Sequence, residues 1–409
     1  MKVSYLCANP YIDPAVFARA SFPYPPGLYD PVVGAKSVEA AFANAGLADE
    51  LGFDWVSVSE HHYAPAIMTP NAQVWAAALT QVVKRAKIAL LGPIVSVNNP
   101  VRLAEEIALL DMISGGRIVV FMLRGTPNEF NTYYVNPAET RERAQEAIKL
   151  IERAWTEPQP FGWEGRYFKF PTVAVWPRPT QSPHPPVFSS GNSPESCVFA
   201  AENHHGLAIS FIPPGLVAQS VQLYRQEAAK AGWQPESSQI VYRSFVAIAE
   251  TEEEARAQQQ ARANRTRPRP EYREAPRGLG PLSWLEAAGG TEEEAVTGTG
   301  RRYDPNEDGA AGGGEGFGLG SLQFEGTPDQ VVERIRLFHE LTGVGVLDLI
   351  FSNVGGPDHT ARRLRLFARE VLPHIRDLGE DLSEANSRVT VSSKGLALQG
   401  RALGSSDGH

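Results

Sequence analysis

Short runs of β-branched and aromatic residues alternate along the chain with longer segments whose apolar positions recur every three or four residues. The short runs are Val3 to Ala8, Trp55 to Ser59, Ile88 to Val95, Arg117 to Leu123, Pro186 to Ser189, Leu207 to Phe211, Ile240 to Ala249 and Val346 to Phe351. Between them, Val38, Phe42, Ala45, Ala48 and Leu51 define one helical stripe, which Gly52 ends. The same spacing recurs at Val101, Ala104, Ile107 and Ala108, at Ala144, Ile148, Ile151 and Trp155, and at Ala361, Leu364, Phe367 and Val371. These stripes read as core-facing. Strand and helix periods in alternation predict parallel strands joined by crossover helices, and eight strands predict closure into a single (β/α)8 TIM barrel of the α/β class.

Two regions break the rhythm. Residues 252–326 hold an Arg- and Pro-rich stretch, Arg262 to Arg277, and a glycine-dominated one, Gly309 to Gly320. Connections in compact domains have a median of about 4 to 6 residues, so this span reads as a mobile insertion between the seventh and eighth strands. Its basic cluster reads as a solvated surface run rather than an anion site. The polar, Gly- and Ser-rich stretch 377–409 is expected to be a poorly ordered tail, leaving 1–376 as the barrel.

Composition narrows the function classes. At 409 residues with 42% hydrophobic content, the chain can bury one large core, and no uninterrupted 18-residue apolar run suggests a membrane span. The opening MKVSYLCANPY enters a strand pattern at once and lacks a secretory signal's succession. A net charge of −9 gives no footprint for nucleic acid. Cys7 and Cys197, the only cysteines, are too few for a disulfide framework or a cysteine zinc site, and both read as buried thiols. The expectation is a cytoplasmic protein without nucleic-acid or membrane partners and without a metal.

In a parallel α/β barrel the chemistry lies at the carboxyl ends of the strands. Glu60, His61 and His62 follow the second run, Asn98 to Pro100 the third, Arg124, Gly125 and Asn128 the fourth, and Ser190 to Ser193 with Ser196 the fifth. Alternation along an extended strand groups Trp55, Ser57, Ser59 and His61 on one face and Val56, Val58, Glu60 and His62 on the other. The β-branched face suits packing against helices, so His61 is expected to point inward. Taken alone, a histidine at a strand end is more often a structural hydrogen-bonding residue. Adjacent extended residues diverge, and no HExxH spacing is present, which argues against a two-histidine metal site.

Ser193 and Pro194 predict a helix start, serine as cap and proline at the first position, with free amides and hydroxyls at a positive dipole end. Such an end holds phosphate in some proteins, but most Ser-Pro helix starts are ordinary caps. There is no GxGxxG fingerprint and no P-loop.

Taken together, these residues resemble a known set. Ser59-Glu60-His61-His62-Tyr63 with Thr69-Pro70-Asn71 is similar to the EHHF element of the bacterial-luciferase-like flavin monooxygenases. Asn99-Pro100-Val101-Arg102, continuing through Glu105, Glu106, Asp111 and Ser114-Gly115-Gly116-Arg117, resembles that family's HPVR…AE…LD…SGGR stretch. Arg124-Gly125, Ser193-x-x-Ser196 and Gly326-Thr327-Pro328 follow in the family's order, and the resemblance covers roughly 1–250 and 325–375. Three positions depart from it: Asn99 stands for the HPVR histidine, Leu123 for the reactive cysteine of luciferases, and Pro127 for a tyrosine. These departures argue against light emission and leave the substrate open.

The resemblance implies His61 as the catalytic histidine, with Ser59 and Glu60 among the cofactor-binding residues. It implies Arg124, Asn192, Ser193 and Ser196 around a cofactor phosphate, Ser210 and Phe211 beside the flavin ring, and Leu91-Gly92 as a strand bulge against that ring, in some relatives through a non-proline cis peptide. The implied reaction uses reduced FMN and O2 through a C4a-(hydro)peroxyflavin to oxidise a small organic substrate. A separate NAD(P)H-dependent flavin reductase is the implied partner, and a homodimer the implied assembly. F420-dependent hydride transfer and a non-catalytic flavin-binding role are the competing readings.

Overall fold

The computed structural model describes residues 1–13, 15–16, 24–263, 322–351 and 356–379. Its strands, in chain order, are β1 (Lys2–Leu6), β2 (Trp55–Val58), β3 (Lys87–Ile94), β4 (Ile118–Leu123), β5 (Phe161–Glu164), β6 (Lys169–Val173), β7 (Val187–Ser190), β8 (Gly206–Ser210), β9 (Ile240–Ile248), β10 (Leu322–Gly326) and β11 (Val346–Phe351). Its principal helices are α1 (Pro31–Glu50), α2 (Ala72–Leu79), α3 (Pro100–Ser114), α4 (Pro127–Thr132), α5 (Thr140–Thr156), α6 (Pro194–Glu202), α7 (Pro214–Lys230), α8 (Glu252–Ala263), α9 (Pro328–Thr342) and α10 (Pro357–Glu370).

All eight predicted strands form, as β1, β2, β3, β4, β7, β8, β9 and β11, and they pair in parallel in that order. β11 returns to β1 and β8 to β9, so among the described residues eight strands close into the TIM barrel that the pattern predicts. Each strand is buried on both faces, which is why the runs read as nearly continuous apolar segments. Val3, Val56, Val58, Ile88 and Leu90 pack outward against the helices. Trp55, Ala89, Leu91, Val119, Phe121, Phe188, Ala208, Val241 and Val346 form a second, interior cluster. Phe121 stacks on Phe188 at 4.6 Å, and Trp55 meets both rings edge-on. Aromatic pairs of this kind contribute about 0.5–1.5 kcal/mol beyond the area they bury.

All four helical stripes face the core as expected, their members buried or packed against it except at Val38 and Ala361, which are half-buried. On α1 the buried face is Ser37, Ala41, Ala45 and Ala48, while Phe42 and Leu51 pack along its edge. Small residues on that face let the helix approach the strands closely. Asn99 caps α3 by accepting from the amides of Val101 and Arg102, a structural use for the residue that departs from the family motif.

Two elements lie outside the eight-strand pattern. β5 and β6 form an antiparallel hairpin held by Glu146, which accepts from Trp163 Nε1 and from the amides of Tyr167 and Phe168. β10 pairs in parallel with the upper half of β9, at Phe245 to Ile248, beyond the point where β8 leaves its pairing at Ile240 to Arg243. The stretch read as one insertion therefore has regular ends, α8 and β10, and β10 lies at the mouth of the barrel. Residues 264–321, and with them most of that expected mobile insertion, lie outside the described residues, as does most of the expected tail, 380–409. Among the described residues no helix is long and apolar enough to cross a membrane.

Candidate active site

The alternation along β2 continues inside the barrel: Trp55 joins the interior cluster and Ser57 Oγ donates to Asp348 Oδ1 on β11. The strand ends at Val58, and the following turn is held by the His61 amide, which donates to the Thr69 carbonyl, and by the Thr69 hydroxyl on the Ser59 carbonyl. His61 emerges at the mouth. Its Nδ1 lies 3.4 Å from Glu129 Oε1, with the His61 side chain 28% exposed and that of Glu129 1% exposed.

Glu129 sits on α4, just after β4, and its Oε2 accepts from both the amide and the hydroxyl of Thr126. Among the described residues the nearest polar group to Oε1 that the structure pairs with it is this His61 nitrogen, at 3.4 Å. Burial pushes the Glu129 carboxyl up, but the neighbouring His61 ring and the Thr126 donors outweigh it, and the group stays below the ordinary carboxylate range. The sequence reading passed over this residue, although an acid five positions after Arg124 at a strand end was a visible signal.

His62 turns the other way, as expected, but not onto the barrel helices. It is buried with Nε2 3.4 Å from Glu60 Oε1 and its ring edge-on to Tyr133. Strict alternation stops with the strand, so loop packing fixes this side chain. Ser59 is also buried, and its hydroxyl has no hydrogen-bond partner among the described residues.

The phosphate-binding candidates gather at the start of α6. Ser193 caps the helix, its Oγ 2.9 Å from Ser196 Oγ, with Pro194 at the first helical position. Asn192 is engaged with Ser210 in both directions: its Nδ2 donates to the Ser210 carbonyl and its Oδ1 accepts from the Ser210 amide. Its side chain thus binds the ends of β7 and β8 together. Arg124 follows β4 with its guanidinium over the Phe130 ring, and among the described residues it has no carboxylate partner. Desolvation and the like charge of Arg141 together hold its pKa below the ordinary arginine value. Arg141 opens α5 and lies 3.4 Å from Glu195 in the first turn of α6, a second cation at this helix start that sequence reasoning missed. Two guanidiniums, two hydroxyls and a helix dipole fit an anion.

At Leu91–Gly92 the β3 backbone carries a non-proline cis peptide, and the pairing with β4 shifts register between Leu91 and Ile94. A side chain at Gly92 would run into the Phe121 carbonyl, so this position requires glycine. Across the mouth, Phe211 turns out of β8 with φ of 59°, its amide donating to the Arg243 carbonyl.

Residues 23–344 match the luciferase-like monooxygenase family. The chain belongs to that family. It is 23% identical over 356 residues to an alkanal monooxygenase alpha chain of Photobacterium leiognathi, covering 84% of this chain and 95% of that one. It is 28% identical over 288 residues to the FMNH(2)-dependent dimethylsulfone monooxygenase of Pseudomonas putida, 69% of this chain and 72% of the relative. A match to the uncharacterized protein y4wF of Sinorhizobium fredii is 33% identical over 187 residues and spans 45% of this chain and about half, 53%, of that relative. Among solved structures, the monooxygenase RslO1 of Streptomyces bottropensis superposes with a TM-score of 0.68 at 26% identity, over 91% of this chain and 99% of its own. An F420-dependent secondary alcohol dehydrogenase shares the fold, with a TM-score of 0.63 at 19% identity over 92% and 99%.

Proposed function

We propose that this chain is the oxygenase of a two-component system, oxidising a small organic substrate with O2 and reduced FMN delivered by a separate NAD(P)H-dependent flavin reductase. The observation that carries this reading is the convergence, at one barrel mouth, of the His61–Glu129 pair with the cradle of Ser193, Ser196, Arg124 and Arg141. The FMNH(2) dependence in the name of a relative at 28% identity supports the cofactor.

When bound, reduced FMN supplies the electrons that activate dioxygen. Ser193, Ser196 and Arg124 would hold its phosphate, with Arg141 adding a second positive charge. Asn192 keeps the β7 and β8 ends in register through Ser210, so the phosphate and ring ends of the site stay at a fixed separation. Leu91, Gly92, Ser210 and Phe211 are the residues that would contact the ring. With Nδ1 turned to Glu129, Nε2 is the His61 nitrogen left to hold or move a proton at the mouth. Ser59 and Glu60 complete the cofactor-binding set, Ser59 with a buried hydroxyl that has no hydrogen-bond partner among the described residues and Glu60 with its carboxylate held by His62.

Assembly as a homodimer accords with an exposed apolar face. Val74 on α2 and Leu109, Met112 and Ile113 on α3 are 70%, 42%, 50% and 49% exposed, on helices joined by the Gln73–Glu106 hydrogen bond. Light scattering at micromolar concentration should give twice the 44.5 kDa chain mass; the chain mass alone removes this assignment.

Anaerobic titration with FMNH2 and with F420 tests the cofactor reading, with FMNH2 expected to bind the more tightly. Tighter F420 binding would make the chain a hydride-transfer enzyme instead. Oxygen uptake that rises with substrate separates an oxygenase from a protein that merely binds flavin.

A further inference from the structure

Two charged side chains stand inside the barrel on strands that are otherwise apolar. Arg243 on β9 donates through Nε to Asp348 Oδ2 on β11 at 2.7 Å, and Asp348 Oδ1 accepts from Ser57 Oγ on β2 at 2.5 Å. Asp348 is fully buried and Arg243 is 7% exposed. Both carboxylate oxygens are thereby occupied, yet Arg243 Nη2 is buried and has no hydrogen-bond partner among the described residues. A buried donor left unpaired is a standing penalty, and native interiors keep few of them.

The position of this cluster gives the orphaned donor a use. Ser57 precedes Ser59 by two residues and His61 by four along the β2 line. Arg243 is in register with Ser210, and its carbonyl accepts from the Phe211 amide. The cluster thus spans from the strand that leads to His61 to the strand that ends at Ser210, directly beneath the mouth. Ser59 Oγ, the next polar atom up β2, is likewise buried without a partner.

We propose that Arg243 is a specificity-determining residue, with Nη2 donating to the carbonyl oxygen of a neutral substrate, a ketone, aldehyde or ester. Asp348, fixed by Ser57, is its positioning residue. The Arg243–Asp348 pair carries no net charge, so a carboxylate or phosphate here would bring a second anion beside a fully buried one. A hydrocarbon of the same shape would leave Nη2 unpaired, and a site built for a hydrogen bond discriminates strongly against the analogue that lacks it. The assignment rests on the reading of the mouth as a flavin site, because the occupant it describes is the substrate of that reaction.

The test is calorimetric titration of the full-length, FMN-loaded protein with cyclohexanone, methylenecyclohexane and cyclohexanecarboxylate, which are alike in shape and differ in the polar group. The wild type should bind the ketone at least about tenfold more tightly than either of the others, the usual scale for a hydrogen bond from a charged donor. Arg243→Lys retains the charge but not the guanidinium fork, and the double variant Arg243→Met, Asp348→Asn leaves no unpaired buried charge. Both should keep their FMN affinity and lose the preference for the ketone. Absence of measurable ketone binding by the wild type, equal affinity for ketone and alkene, preference for the carboxylate, or a ketone preference that survives in both variants each overturns the assignment. Failure of the wild type to bind FMNH2 under anaerobic conditions would instead overturn the flavin reading, and the same titrations on the flavin-free chain would still decide the role of Arg243.

Discussion

Two buried constellations of serine, histidine and carboxylate occur in this barrel, and they differ in whether their hydrogen bonds are closed. Behind the wall, Ser189 Oγ lies 2.8 Å from His205 Nδ1, His205 Nε2 lies 2.6 Å from Glu152 Oε1, and the Tyr224 hydroxyl donates to the His205 carbonyl. As a list of residue types this matches a nucleophilic triad. Ser189 and His205 are 3% and 2% exposed, however, and every one of these polar groups is paired. At the mouth, by contrast, Ser59 Oγ and Arg243 Nη2 are buried without hydrogen-bond partners among the described residues, Glu129 Oε1 faces only the His61 ring at 3.4 Å, and His61 is part-exposed. The closed array anchors α5 and α7 to the strands. The open one has hydrogen-bonding capacity left for a ligand, and that, rather than the identity of the residues, distinguishes a site from a strut.

Substitutions at the mouth should reduce rate and affinity, while those behind the wall should reduce stability. The largest effect is expected at His61. His61→Ala should leave the fold and FMNH2 binding nearly intact while cutting productive oxygenation by about a hundredfold or more, with FMNH2 and O2 lost instead as oxidised FMN and hydrogen peroxide. His62→Ala should lower thermal stability and affect turnover less, since that ring is buried among Glu60, Tyr63 and Tyr133. Normal turnover by the His61 variant would break the comparison.

Next in size is the phosphate cradle. Each hydroxyl bonded to a charged group contributes about 1.5–3 kcal/mol, so Ser193→Ala combined with Ser196→Ala should weaken FMNH2 binding at least tenfold in an anaerobic titration. Unchanged affinity would put the phosphate elsewhere.

On the wall, His205→Ala strands the Ser189 hydroxyl and the Glu152 carboxylate. Loss of such a network should lower unfolding free energy by roughly 1–3 kcal/mol in a denaturant melt, with kcat/KM unchanged. A variant that melts normally but turns over slowly would mean the closed array has a chemical role after all.

The smallest expected effect is a pH dependence. The Glu129 carboxyl is held below its ordinary value, so its contribution to stability is present above about pH 4.3 and is lost as pH falls through the folded-state pKa. The difference in Tm between the wild type and Glu129→Gln should therefore shrink on acidification below that pH. A difference that grows would show that the folded carboxyl is raised rather than lowered.

The barrel was legible because its strands are buried on both faces. Eight apolar β-branched runs separated by helical spacing have few other closed arrangements, and the observed strands start or stop within about two residues of the runs. Parity along β2 carried the inward direction of Trp55 and Ser57. It stopped being informative past Val58, where the strand ends, and so His62 faces Tyr133 instead of the helices. The β5–β6 hairpin and β10 went unread because neither belongs to the eight-strand repeat.

The sequence by itself determined the repeat, the strand ends at which polar residues accumulate, and the Ser-Pro helix start, because each depends on local spacing and on which side chains a backbone conformation tolerates. Tertiary structure alone decided the pairs. Glu129 reaches His61 because β4 lies beyond β3 from β2 around the barrel, Arg141 reaches the α6 start because α5 opens beside it, and Arg243 reaches Asp348 because β9 and β11 are neighbours. These partners stand 68, 54 and 105 residues apart in sequence. Closure of the barrel brings them together, and hydrogen bonds and charge act only over a few ångströms.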